Sequence, residues 1–128
     1  MASWEDVRRI ALSLPESTET HSSGTLRWSV KDKLFVWERP LRRADIEALG
    51  ASAPTGPILG VRVEHLGIKE AILASDPDVF FTTPHFHGYP AVLVQLERIA
   101  PKDLEELIVD AWLARAPKRL VNTYLTRR

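Results

Sequence analysis

Apolar residues recur along this chain with two different periods, and the changes between them mark out its elements. Trp4, Val7, Ile10, Ala11 and Leu14 form one stripe at helical spacing, which predicts a helix from about Trp4 to Leu14. Ser3 stands at the capping position, with Asp6 three residues on. Pro15 ends the helix, because its nitrogen cannot donate into the ladder. Residues 16–24 are polar and read as a loop. Leu26, Trp28 and Val30 then alternate with Arg27 and Ser29, the period-2 pattern of a half-buried strand. Lys31-Asp32-Lys33 reads as a turn, and Leu34-Phe35-Val36-Trp37 as a second strand, apolar on both faces and ended by Arg39 and Pro40.

A short helix is expected from Ala44 to Leu49, with Gly50 as its left-handed C-terminal cap. Residues 51–57 are a small-residue connector. Ile58 to Val63 reads as a strand with Leu59, Val61 and Val63 inward and Arg62 outward, and Leu66 to Ala74 as a helix. After a turn at residues 75–78, Val79-Phe80-Phe81 is extended, and Ala91 to Leu96 is a further strand. Pro101 opens the most regular helix, whose stripe is Leu104, Leu107, Ile108, Ala111 and Trp112. Asp103, Glu105 and Glu106 sit early in it, where the helix dipole favours negative charge. Pro117 starts a last amphipathic segment carrying Leu120, Val121 and Tyr124. Adjacent strands with helices grouped towards the ends predict an α+β fold built on an antiparallel sheet.

Composition narrows the class. At 128 residues one domain is expected, spanning 1–128, with enough chain to bury a core unaided. The absence of cysteine excludes disulfides, thiolate metal sites and a cysteine nucleophile. No apolar run approaches the roughly 20 residues of a bilayer span, and the acidic N-terminus is unlike a signal peptide. A cytoplasmic protein without membrane partners is expected.

Charge changes the picture more. The 17 basic and 17 acidic residues balance, yet they are segregated. Residues 27–43 hold Arg27, Lys31, Lys33, Arg39, Arg42 and Arg43 against Asp32 and Glu38, a net of +4. Residues 111–128 hold Arg115, Lys118, Arg119, Arg127 and Arg128 with no acid, a net of +5. Two cationic stretches that met in the fold would suit phosphate contact, with the hairpin lying along a nucleic acid like the wing of a winged module. The competing reading is a solvated face, and the overall pI of about 6.9 falls short of a dedicated binder's basic footprint.

Candidate chemistry is sparse. In Thr82-Thr83-Pro84-His85-Phe86-His87-Gly88-Tyr89-Pro90, two histidines stand two residues apart. In a strand that spacing would present both imidazoles on one face, and Asp76 or Asp78 could add oxygen for zinc or iron. The alternatives are a pocket for a small molecule or anion, formed by Arg62, His85, His87 and Tyr89, and a purely structural role. Ser22, Ser23, Ser29, Ser52 and Ser75 lack a nucleophile-elbow context, and residues 56–60 lack the Gly-Lys-Ser/Thr ending of a phosphate loop. No catalytic residue, resident metal or cofactor is therefore assigned. Trp4, Trp28, Trp37 and Trp112 fall on apolar stripes or strands and read as core rather than as base-stacking platforms.

Several of these segments together resemble one family. Trp4-Glu5-Asp6-Val7-Arg8, the hairpin ending Phe35-Val36-Trp37, Asp76-Pro77-Asp78-Val79-Phe80-Phe81, Thr83-Pro84-His85-Phe86 with Gly88-Tyr89-Pro90, and Ala114-Arg115-Ala116-Pro117-Lys118-Arg119 are similar to the MmcQ/YjbR family of small bacterial proteins. The resemblance runs nearly end to end. It implies a CyaY-like (frataxin-like) fold, with helices packed on one face of an antiparallel sheet, and a DNA-binding role without catalytic residues. Where relatives often carry glycine in the hairpin turn, this chain has the more cationic Lys31-Asp32-Lys33.

Overall fold

Ser3 starts the first helix, α1 (Trp4–Ser13), as its spacing predicts. The Asp6 N–H donates to Ser3 Oγ at 3.4 Å, and the Ser3 N–H donates to Asp6 Oδ2 at 2.9 Å, so two otherwise orphan donors are satisfied. The computed structural model describes residues 2–127. After α1 come β1 (Ser17–Ser22), β2 (Thr25–Val30), β3 (Lys33–Glu38), α2 (Arg43–Leu49), β4 (Ile58–Arg62), α3 (Leu66–Ser75), β5 (Phe80–Phe81), β6 (Ala91–Gln95), α4 (Pro101–Arg115) and α5 (Lys118–Arg127). The strands form one sheet in the order β1-β2-β3-β4-β6-β5, with every neighbouring pair antiparallel. The α+β expectation is met.

The segment expected to be a loop, residues 16–24, corrects the reading. Ser17–Ser22 is an edge strand paired with β2 from Ser17↔Val30 to Ser22↔Thr25. An edge strand needs backbone partners on one side only, so Ser-Thr-Glu-Thr-His-Ser serves without apolar alternation. Its Glu19 turns inward, where Oε1 accepts the Trp28 indole N–H at 3.0 Å.

One face of the sheet carries the main core. Trp28, Val30, Leu59, Val61, Val92 and Val94 pack there against Val7, Ile10 and Ala11 of α1, Leu104, Ile108 and Trp112 of α4, and Leu120 of α5. Ile72 and Leu73 of α3 lie against the same cluster. The doubly apolar run in β3 is explained by a register shift. Trp28 pairs with Val36 while Ser29 pairs with Leu34, so Phe35 is an extra residue, and Phe35 and Val36 both enter this core.

The other face carries a smaller cluster of Trp37, Ile58, Phe86, Ala91 and Leu93, flanked by Leu34, Leu41 and Phe81. The Trp37 indole approaches β4 closely because Gly60 has no side chain: a Cβ there would clash with Cε2 and lie 2.7 Å from Nε1 of the ring. Gly60→Ala should therefore cost about 1–3 kcal/mol of stability through overpacking. Urea unfolding monitored by tryptophan fluorescence checks this, and an unchanged midpoint would contradict the packing.

Four non-glycine residues, Glu16, Ser23, Lys31 and Asp32, take positive φ. Between β2 and β3, Lys31 (φ 49°) and Asp32 (φ 65°) are both left-handed. Such a two-residue turn matches the twist of a hairpin, but it costs a non-glycine residue roughly 1 kcal/mol or more per position. Gly50 does take a positive φ of 59°, but its ψ of −132° is not that of a left-handed helical cap, and the chain runs on through a 3-10 turn, Gly50–Ser52. No helix among the described residues is long and apolar enough to cross a membrane.

Candidate nucleic-acid interface and an adjoining groove

The two cationic stretches approach one another at the tip of the β2–β3 hairpin. There the Lys31 ammonium meets Glu16 Oε1 at 2.5 Å, and the Arg119 guanidinium reaches Glu16 Oε2 at 3.9 Å. The hydrogen bond from Lys31, with the nearby Arg119 charge, holds the Glu16 carboxyl below its ordinary value against the opposing effect of burial. Arg115, at the end of α4, donates from Nε to the Leu34 carbonyl at 3.2 Å and so ties α4 to the start of β3. Burial, together with the neighbouring Arg62 guanidinium, lowers the Arg115 value. Lys33, Lys118 and Arg127 are exposed and form no ion pair among the described residues.

Other sequence candidates lie elsewhere. Arg39 is not a phosphate contact: it is 5% exposed, paired through Nη2 with Asp45 Oδ2 at 3.0 Å, and stacked 5.2 Å from the Phe86 ring centroid. The strand-ending position that suggested exposure turns it under α2 instead. Burial pushes the Asp45 carboxyl up, but the Arg42 backbone N–H (2.8 Å) and the Arg39 guanidinium outweigh it and hold it below its ordinary value. Arg43 is exposed beside Glu47 one turn along α2, at 3.2 Å. Arg27 and Arg42 face a groove on the second side of the sheet rather than the hairpin tip. Arg128 lies outside the described residues.

That groove, of about 820 Å³, brings Arg27 and Arg42 together with the histidine segment, over a floor that includes Trp37 and Leu34. The segment is not a strand, as the metal reading required, because Pro84–Phe86 is a 3-10 turn. His85 packs edge-on to Phe86 with ring centroids 4.9 Å apart, while His85, His87 and Tyr89 are exposed on the groove wall. Arg62, expected in the same pocket, does not line this groove: it borders a separate hollow with Val63, Glu64 and Ile68, and reaches only the Tyr89 side chain, donating to its hydroxyl at 2.9 Å with the guanidinium 4.8 Å from the ring centroid. Asp78 lines a different hollow, beside Pro77 and Gln95, and Asp76 is engaged with the Asp78 N–H at 3.2 Å. Among the described residues no three His, Cys, Asp or Glu are grouped as a metal ion would need.

Sequence reasoning missed the residue that holds this wall in place. Lys69 of α3 is 6% exposed, and its ammonium donates to the carbonyls of Phe86 at 2.6 Å and Tyr89 at 2.8 Å. Burial lowers its value. The apolar pattern of α3 points elsewhere, because Leu66 and Ile68 are exposed while the lysine is buried. Asp45 accepts the backbone N–H of the residue three before it, as Asp6 does, but that residue is Arg42 rather than a Ser or Thr cap, so the sequence carried no matching signal. Glu16 carries no signal beyond its place after Pro15.

The YjbR family model matches residues 12–114 of the chain. Uncharacterized proteins Rv2570 of Mycobacterium tuberculosis and Mb2600 of Mycobacterium bovis are each 53% identical to the chain, over 98% of its length and 97% of theirs. The crystal structure of Deinococcus radiodurans protein DR2400, with family-model domain DUF419, superposes with a TM-score of 0.65 at 22% identity, over 88% of this chain and 78% of that one. The last likeness concerns the fold. The family match covers most of the sheet, the groove and the hairpin tip, and on that ground the chain belongs to the YjbR family.

Proposed function

We propose that the protein is a non-enzymatic DNA-binding protein whose phosphate contacts come from the hairpin tip and the start of α5. One observation carries the reading: Lys31 and Arg119, from stretches far apart in sequence, share the carboxylate of Glu16. Around that point stand Lys33 and Lys118, which have no ion-pair partner among the described residues. The turn also keeps Lys31 and Asp32 in left-handed conformations that glycine would adopt at less cost. A phosphate approaching this surface would compete with Glu16 for both cations, so affinity is modest and sensitive to salt.

The test is fluorescence anisotropy with a labelled duplex across a salt series. The Lys31→Glu/Lys33→Glu variant should bind more weakly. Its slope of log affinity against log salt should fall by about 2, because each phosphate that a cation neutralises adds roughly 0.9 to the slope. An unchanged slope counts against the reading. Glu16→Gln should act in the opposite direction, tightening binding several-fold by releasing Lys31 and Arg119. Weaker binding by Glu16→Gln, with folding intact, would show that the carboxylate is not a competitor of phosphate.

A further inference from the structure

The groove on the second face of the sheet is separate from the hairpin tip, and its construction differs. Its histidine-bearing wall is fixed from behind by two buried cations. Lys69 holds the carbonyls of Phe86 and Tyr89, and Arg39, paired with Asp45, lies against the Phe86 ring. Burying charge seldom adds stability over well-packed apolar residues. What these contacts supply here is a set position for an exposed segment. The groove is also lined by Arg27 and Arg42, both exposed and neither in an ion pair among the described residues. The one acidic lining residue, Glu38, has its Oε1 engaged by the Leu26 N–H at 3.0 Å.

Two guanidiniums and two imidazoles line the one groove and offer donors to an anion. Guanidinium geometry suits the paired oxygens of a phosphate. Leu34 and Leu41, half-buried in the same groove, offer a surface to an apolar or aromatic body. The groove is within the size range of small-ligand sites. We propose that this groove binds a small phosphate monoester, with the phosphate between Arg27, Arg42, His85 and His87 and the organic body over Leu34 and Leu41. Lys69 and Arg39 act as positioning residues that keep the wall in register.

The experiment titrates the full chain with adenosine 5′-monophosphate, and in parallel with adenosine and with inorganic phosphate, following backbone amide shifts and heat. Saturable binding of the monophosphate is expected, with shifts clustered at residues 25–27, 37–42 and 85–89. Adenosine should bind at least about tenfold more weakly, and so should the monophosphate to Arg27→Gln/Arg42→Gln, whose unfolding midpoint should not change because both residues are exposed. Lys31→Glu/Lys33→Glu should bind the monophosphate like the wild type, so failure at the groove and failure at the hairpin tip are told apart. No saturation by about 10 mM, equal binding of adenosine, shifts elsewhere, or an unaffected double arginine variant would each overturn the proposal.

Discussion

Replacing Asp45 with alanine is expected to destabilise the protein by about 3–5 kcal/mol, the largest effect predicted for any single substitution in this chain. The carboxylate is 3% exposed and meets the Arg39 guanidinium at 3.0 Å, while Arg39 is itself 5% exposed. Removing the acid strands a cation beneath α2. It also strands the Arg42 backbone N–H that Asp45 accepts. Asp45→Asn should cost less, since an amide oxygen can still accept that N–H. Changing both partners, Arg39→Met with Asp45→Leu, should recover much of the loss, because apolar residues of similar volume replace a buried pair at little cost. If the double variant is no better than Asp45→Ala, the loss comes from packing rather than from unpaired charge.

The same pair sets a pH dependence whose sign follows from the direction of the shift. The Asp45 carboxyl is held below its ordinary value of 3.8 in the folded state. Its contribution is therefore fully present above that value and is lost as the pH falls through the lower, folded one. The stability gap between wild type and Asp45→Asn should narrow in that acid window and stay constant at neutral pH. Denaturant midpoints measured across the acid range check this, and a gap that widened on acidification would reverse the assignment.

Lys69→Met is expected to cost about 2–4 kcal/mol, the second large effect. Methionine keeps the apolar stem but leaves the Phe86 and Tyr89 carbonyls without their charged donor. The informative readout is local. Amides of residues 86–89 should exchange faster with solvent in this variant, while those of Val92 and Val94 in β6 should follow global stability. A variant within about 0.5 kcal/mol of wild type, with unchanged protection at residues 86–89, would show that the lysine does not hold the groove wall.

What the sequence made legible follows from where burial imposes a pattern. α1, α4 and β2 bury one stripe or one face each, so period alone locates them. β1 escaped because an edge strand is specified by its neighbour's backbone, and its six residues carry no apolar alternation. The bulge at Phe35 was hidden inside an apolar run, where either face looks correct. The histidines were legible as a cluster but not as part of a groove, since Arg27 and Arg42 join them only through the fold. Charge segregation identified the cationic stretches but not their counter-charges: Asp45 removes Arg39 from the surface, and Glu16 draws Lys31 and Arg119 together. Long-range pairing of this kind leaves no trace in local spacing.

The claim that the hairpin tip and the start of α5 act on DNA as one surface is tested most directly by amide chemical-shift mapping with a short duplex at low salt. Residues 31–33 and 118–119 should be perturbed together, with the same midpoint, in one titration. Perturbation of only one stretch, or of neither while the protein remains folded, would contradict it.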